Sequence, residues 1–176
     1  MKSKARIAGH SIHPMLVGFP IALFTATLGL ELAHIGTQDA FYYRAAMIAN
    51  VGGVVMALLA VIPGAIDLFG LPKESAARAT GEKHAVLNLL TTALFAVSGG
   101  MLYRGWSGYT VDGAYLDAHL PLAFGVVGFV AMATAALLGY AMVQHHQVGV
   151  QAGAARKPRL VEDFHDFRTS HNAGAH

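Results

Sequence analysis

The side chains able to do chemistry in this 176-residue chain are its 10 histidines and a few carboxylates, because it contains no cysteine. Disulfides, thiolate metal ligation, cysteine-bound iron–sulfur clusters and covalent c-type haem attachment are thereby excluded. Any cofactor must use imidazole, thioether, carboxylate or backbone groups. His10 and His13 stand in GHSIHPMLVGFPIALF, at the mouth of an apolar run that contains a second proline. His84 opens another apolar run, His145 and His146 close a further one, and Asp67 closes the remaining one. Two imidazoles on facing helices can hold a haem iron axially within a bundle. A nitrogen and oxygen set from His13, Asp67, His84 and His146 would instead suit zinc, iron, copper or nickel. A third reading makes the same residues interfacial polar caps or helix-end hydrogen bonders that hold nothing.

The elements that position them follow from composition. Hydrophobic residues make up 55% of the chain and charged residues only 12%, about half the charged share of a soluble domain. Residues 14–30, 45–66, 85–103 and 120–143 contain no Asp, Glu, Lys or Arg. A helix needs about 20 apolar residues to cross the hydrocarbon core, and four segments approach that length. The reading is an all-α integral membrane four-helix bundle of up-down topology, lying in a lipid bilayer. Its helices are expected at about Pro14–Ala33, Tyr43–Ile66, His84–Tyr103 and Leu120–Gln144. Residues 1–13 form an N-terminal tail, 14–146 the transmembrane domain, and 147–176 a flexible Gly/Ala-rich and then charged C-terminal tail. The first run continues into LELAHIG, so Glu31 and His34 stand where a cleaved signal peptide would carry small residues. No repeat is expected beyond the alternation of helix and loop. Rows of small residues, Ala22 and Ala26, then Ala131, Ala135 and Gly139, suit close helix packing.

Four crossings place both termini and the loop between the second and third helices on one side. That side carries Lys2, Lys4, Arg6, Lys73, Arg78, Lys83, Arg156, Lys157, Arg159 and Arg168, against Arg44 and Arg104 on the other. Positive charge stays in the cytoplasm, so both termini are expected there. Tyr42, Tyr43, Tyr103, Trp106, Tyr109 and Tyr115 then fall on the outer side as an interfacial aromatic belt.

Topology sorts the histidines. His10, His13, His84, His145 and His146 gather with Asp67 at the cytoplasmic end, whereas His34 and His119 lie near the outer one. At about 100° per residue, His13, Pro20, Thr27, Glu31 and His34 share one stripe, and His84, Asn88, Thr91, Phe95 and Ser98 another. Both stripes should face the bundle interior. His13 with His84 is the preferred haem pair; His34 with His119 would be an outer pair. His13 and His34 are roughly 31 Å apart along a helix, too far for a tightly coupled two-haem wire. Ionisable groups are missing from the middle of every span, which argues against a pump.

GHSIHPMLVGFPIALF, PGAIDLFGLPKESAARATGEKHAVLNLL and LLGYAMVQHHQVGV together resemble a bacterial inner-membrane family of unknown function. That family has four spans and occurs alone or fused to Rieske iron–sulfur or cytochrome domains. Its pattern maps onto His13-Pro14, Phe19-Pro20, Asp67, His84 and the His146-x-Val-Gly-Val ending; His34 and His119 fall outside it. The resemblance implies a redox setting in which the electron partner is a separate polypeptide. The expectation is a small multi-pass protein of the bacterial inner membrane that binds b-type haem and transfers electrons. His13 and His84 would be the axial ligands, Asp67 would orient a ligand or bear on the redox potential, and His146 would be an alternate ligand. The alternatives are a non-haem transition metal ion on the same four residues, and a cofactor-free structural or assembly subunit. No catalytic residue is assigned and no nucleic-acid partner is expected; a homo-oligomer is compatible with the sequence.

Overall fold

The computed structural model describes residues 4–8, 10–146 and 148. A two-residue hairpin, β1 (Arg6–Ile7) paired antiparallel with β2 (His10–Ser11), precedes the helices. Helix α1 (Ile12–Leu16) runs into α2 (Gly18–Thr37), followed by α3 (Ala40–Phe69), α4 (Ala76–Asp112) and α5 (His119–Gln144). The break at Val17 has a local cause. Pro20 has no N–H to give the Leu16 carbonyl, and its ring crowds that carbonyl. Together α1 and α2 form one of four helical segments long and apolar enough to span a membrane. The protein is therefore an all-α membrane four-helix bundle.

The helices outrun their apolar cores. Four apolar runs set the expected bounds, but α4 starts eight residues before His84 and ends nine after Tyr103. At its start the Ser75 side chain accepts the Arg78 N–H, and Arg78 pairs with Glu82 one turn on. At its end Gly113 takes a left-handed φ of 67°, which suits a residue without a side chain. Polar residues here leave the lipid without leaving the helix. His13, expected in a tail, belongs to the first helical turn, where Pro14 costs little. The C-terminal tail lies outside the described residues except for Val148.

Each helix packs on its neighbours in sequence, and α2 also meets α5, closing a ring of four. Pro20, Phe24, Thr27, Glu31 and His34 are buried on α2, as are Thr91, Phe95 and Ser98 on α4, so both stripes face inward as their phase requires. Of the small-residue rows, Ala131 and Ala135 pack inside, whereas Ala22 and Ala26 face outward. Large aliphatics such as Ile48, Val55, Leu58 and Ile62 cover the outside, as a lipid-facing surface requires.

Contrary to the absence of a visible repeat, the bundle is built from two similar hairpins. Phe24 follows His13 by eleven residues, and Phe95 follows His84 by the same interval. Each phenylalanine packs against a glycine of its partner helix, Gly53 or Gly128, and each histidine against another, Gly64 or Gly139. The glycines and the intervening alanine keep one spacing: Gly53, Ala60 and Gly64 in α3, and Gly128, Ala135 and Gly139 in α5. Phe24 and Phe95 meet with ring centres 3.9 Å apart and planes 9° from parallel. His13 and His84 meet nearer the N-terminal end. These pairs mark a pseudo-two-fold axis running along the bundle, of the kind that relates parallel repeats in membrane proteins. Lipid-facing aliphatics hide the repeat, because their identity is interchangeable.

Gly53→Ala would bring a methyl to 2.6 Å from the Phe24 ring, whereas Gly29 faces open space. Overpacking of this kind costs about 1–3 kcal/mol. Thermal unfolding in detergent is therefore expected to show Gly53→Ala clearly destabilised and Gly29→Ala unchanged or more stable.

Candidate functional site

The two histidines on the axis are held in the same way. His13 Nδ1 lies 2.9 Å from the Ala60 carbonyl oxygen, and His84 Nδ1 lies 2.8 Å from that of Ala135. A carbonyl only accepts, so each Nδ1 is the protonated nitrogen and each Nε2 presents its lone pair. A methyl on Gly64 would sit 2.9 Å from His13 Cε1, and one on Gly139 would sit 3.1 Å from His84 Cε1. Both glycines therefore open notches for the rings. The ring centres are 6.3 Å apart and the planes 86° from parallel. The one asymmetry is Asn88, whose Nδ2 lies 3.0 Å from His84 Nε2 and 2.8 Å from the His84 carbonyl.

The other expected site residues lie elsewhere at this end. Asp67 Oδ1 accepts the backbone N–H groups of Lys4 and Ala5 at 2.8 and 3.0 Å. It pins the N-terminal segment to α3. A further bond, from the Ile12 N–H to the Ala5 carbonyl, closes that segment over the start of the first helix. His146 Nε2 lies 3.3 Å from Thr80 Oγ1. The Thr80 hydroxyl already donates to the Ala76 carbonyl, so the imidazole is the donor. His10 and His145 are exposed. The structure thus brings His13 and His84 together and gives Asp67 and His146 other partners. Among the described residues, no three His, Cys, Asp or Glu side chains are grouped so as to hold a metal ion.

The opposite end uses its histidines differently. His34 is buried, with Nδ1 3.0 Å from the Asp39 carbonyl and Nε2 2.9 Å from the Leu116 carbonyl. It ties the turn after α2 to the segment before α5 and has no nitrogen free for a ligand. His119 is exposed, and both its backbone N–H and its Nδ1 meet Asp117 Oδ1. No outer pair forms from His34 and His119.

The sequence pointed to the two histidines that meet on the axis but not to their supports: the Ala60 and Ala135 carbonyls, Gly64, Gly139 and the Asn88 bond. The shared Ala-x-x-x-Gly spacing was the available signal. Alignment of the two hairpins on their histidines would have exposed it.

Comparison with known families agrees with the architecture. The model of a family of predicted membrane proteins, DUF2231, matches residues 9–152. No curated protein and no solved structure matches the chain.

Two outcomes follow from the polar anchors. Asp67→Ala removes the acceptor for the Lys4 and Ala5 amides, and hydrogen exchange at those two positions is expected to accelerate, with the helix interiors unaffected. Asp117 is held below the usual carboxylate range, first by the His119 backbone N–H and then by its ring. A depressed carboxylate stabilises the fold above its unfolded pKa, and the contribution fades as pH falls through the native value. The melting temperature of Asp117→Asn should therefore lie below that of the parent at neutral pH and converge with it in acid.

Proposed function

The chain belongs to the DUF2231 family of predicted membrane proteins, and from that premise we propose that it is a small electron-transfer subunit holding b-type haem between His13 and His84. The observation that carries this reading is the meeting of two imidazoles from diagonally opposed helices. Each has its Nδ1 bonded to a backbone carbonyl, which fixes ring orientation and raises the basicity of Nε2. The ring centres lie 6.3 Å apart, so the two imidazoles are near enough for one group to be held between them.

Two ligands suit a haem better than a bare ion. The porphyrin brings its own equatorial nitrogens, so the protein need supply only axial groups, whereas a structural non-haem site takes about four protein ligands. Bound there, haem would supply a one-electron iron couple. The chain's own contribution is positional. Ala60 and Ala135 orient the imidazoles, Gly64 and Gly139 give them room, and Asn88 would have to release His84 Nε2 for that nitrogen to serve as a ligand. Asp67 holds the N-terminal segment across this end. The bias of ten Lys and Arg residues against two supports an orientation with both termini in the cytoplasm of a bacterial inner membrane. These 176 residues contain no cysteine to bind a cluster, so a cluster-bearing electron partner would lie outside them.

One observation favours a cofactor-free reading. Asn88 satisfies His84 Nε2, so the histidines could act as staples between helices, each bonded across to a neighbouring backbone. Purification after haem supplementation separates the two. Haem binding predicts sharp reduced-minus-oxidised bands at about one haem per chain, lost in His13→Ala and in His84→Ala and weakened in Gly64→Ala. A colourless folded protein would leave the staple. A colourless protein with stoichiometric zinc, copper or iron, assayed without the histidine-bearing C-terminal tail, would favour the bare ion.

A further inference from the structure

A second polar cluster lies on the same axis, separated from the histidine pair by the Phe24–Phe95 stack. Glu31 on α2, Asn50 on α3 and Ser98 on α4 are all fully buried. Asn50 Nδ2 lies 3.5 Å from Ser98 Oγ, and Ser98 Oγ lies 3.4 Å from Glu31 Oε1. Two oxygens in the cluster have no partner: Glu31 Oε2 and Asn50 Oδ1. Both are acceptors, so the cluster is short of hydrogen-bond donors.

The pseudo-symmetry shows that this cluster breaks the repeat. Positions that match by the histidine and glycine spacings set Glu31 against Leu102 and Asn50 against Gly125. The absence of a side chain at Gly125 makes room for the carboxyl, whose Oε2 would lie 3.6 Å from a methyl placed there. Around Glu31, Thr27 and His34 share its face of α2, α3 supplies Asn50 and Tyr43, and α4 supplies Ser98. The α5 side presents Gly125. His34 has both nitrogens directed at the Asp39 and Leu116 carbonyls, and no Lys or Arg is among these groups. An ionised carboxylate here would be buried with no Lys or Arg beside it and with no hydrogen bond from His34, whose nitrogens are both directed at carbonyls, a costly state.

We propose that Glu31 is a proton-binding site, its carboxyl held as the neutral acid in the folded protein and exchanging that proton with solvent. In the loading step hydronium gives its proton to a carboxylate oxygen, an O–H bond forms, and water leaves; no electron moves. The acid then donates to Ser98 Oγ. The Ser98 hydrogen is thereby freed for Asn50 Oδ1, once that amide has turned over to exchange its oxygen and nitrogen. The added proton thus gives Asn50 Oδ1 a bond from Ser98 in place of the Asn50 Nδ2–Ser98 bond, while Glu31 Oε2 stays without a partner in the cluster. Glu31 is six residues from the end of α2 at Thr37, about 9 Å along the axis, so the solvent at that end is within reach. The assignment is independent of whether His13 and His84 hold haem.

Infrared difference spectroscopy of the protein in lipid bilayers tests it. At neutral pH the parent should show a carboxylic C=O stretch above the amide band, shifting down in D2O and absent in Glu31→Gln. Ser98→Ala, which removes the bonding partner and leaves Glu31 in place, should move the band to higher frequency and keeps the test open if Glu31→Gln does not fold. A parent without the band at neutral pH overturns the assignment. So does a band unchanged in both variants, or one abolished by sodium at constant pH.

Discussion

Lipid gives a polar side chain nothing to bond with, and this bundle is organised by that constraint. Each inward-facing polar group must find its partner on another helix or in its own backbone. His13 finds the Ala60 carbonyl and His84 that of Ala135, so each bond reaches from the first helix of a hairpin to the second. The glycine four residues beyond each carbonyl lets the ring approach. These repeated contacts set the phase of the first and third spans, and the aromatic stack then fills the axis between them.

Symmetry makes the departures from it informative. The second hairpin alone has Asn88, bonded to His84 Nε2. The first alone has Glu31 and Asn50, and Asp67 where the second has Met142. Each addition is polar, and each sits where the matching residue of the other hairpin is apolar or glycine. The duplicated frame supplies packing; the unmatched residues give its two ends different chemistry. At one end imidazole lone pairs lie near the axis, and at the other a carboxyl lies among acceptors.

The Phe24–Phe95 stack separates those ends. Both rings are buried, and the nearly parallel contact leaves apolar surface on either side of it. Aromatic packing of this kind is worth about 0.5–1.5 kcal/mol beyond area burial. It fills the axis between the two polar clusters with apolar surface.

The sequence by itself determined the architecture. Four charge-free runs admit a helical bundle in lipid because backbone groups must be satisfied within each span. Helical phase also picked out the inward stripes, and with them the His13–His84 pairing and the burial of Glu31. It could not give the helix ends, since Arg78, Glu82 and the residues after Tyr103 prolong α4 through water rather than lipid. Nor could it give the hydrogen-bond partners that distinguish His34 from His13. Both are histidines near helix ends, yet one has both nitrogens on loop carbonyls and the other keeps one lone pair. Asp67 and His146 likewise had the right chemistry for a ligand, while their partners proved to be backbone amides and a threonine. Tertiary structure decided these matters because most of the partners are distant in sequence, 47 positions for His13 and Ala60 and 82 for His34 and Leu116, and no local pattern encodes which carbonyl a ring will meet.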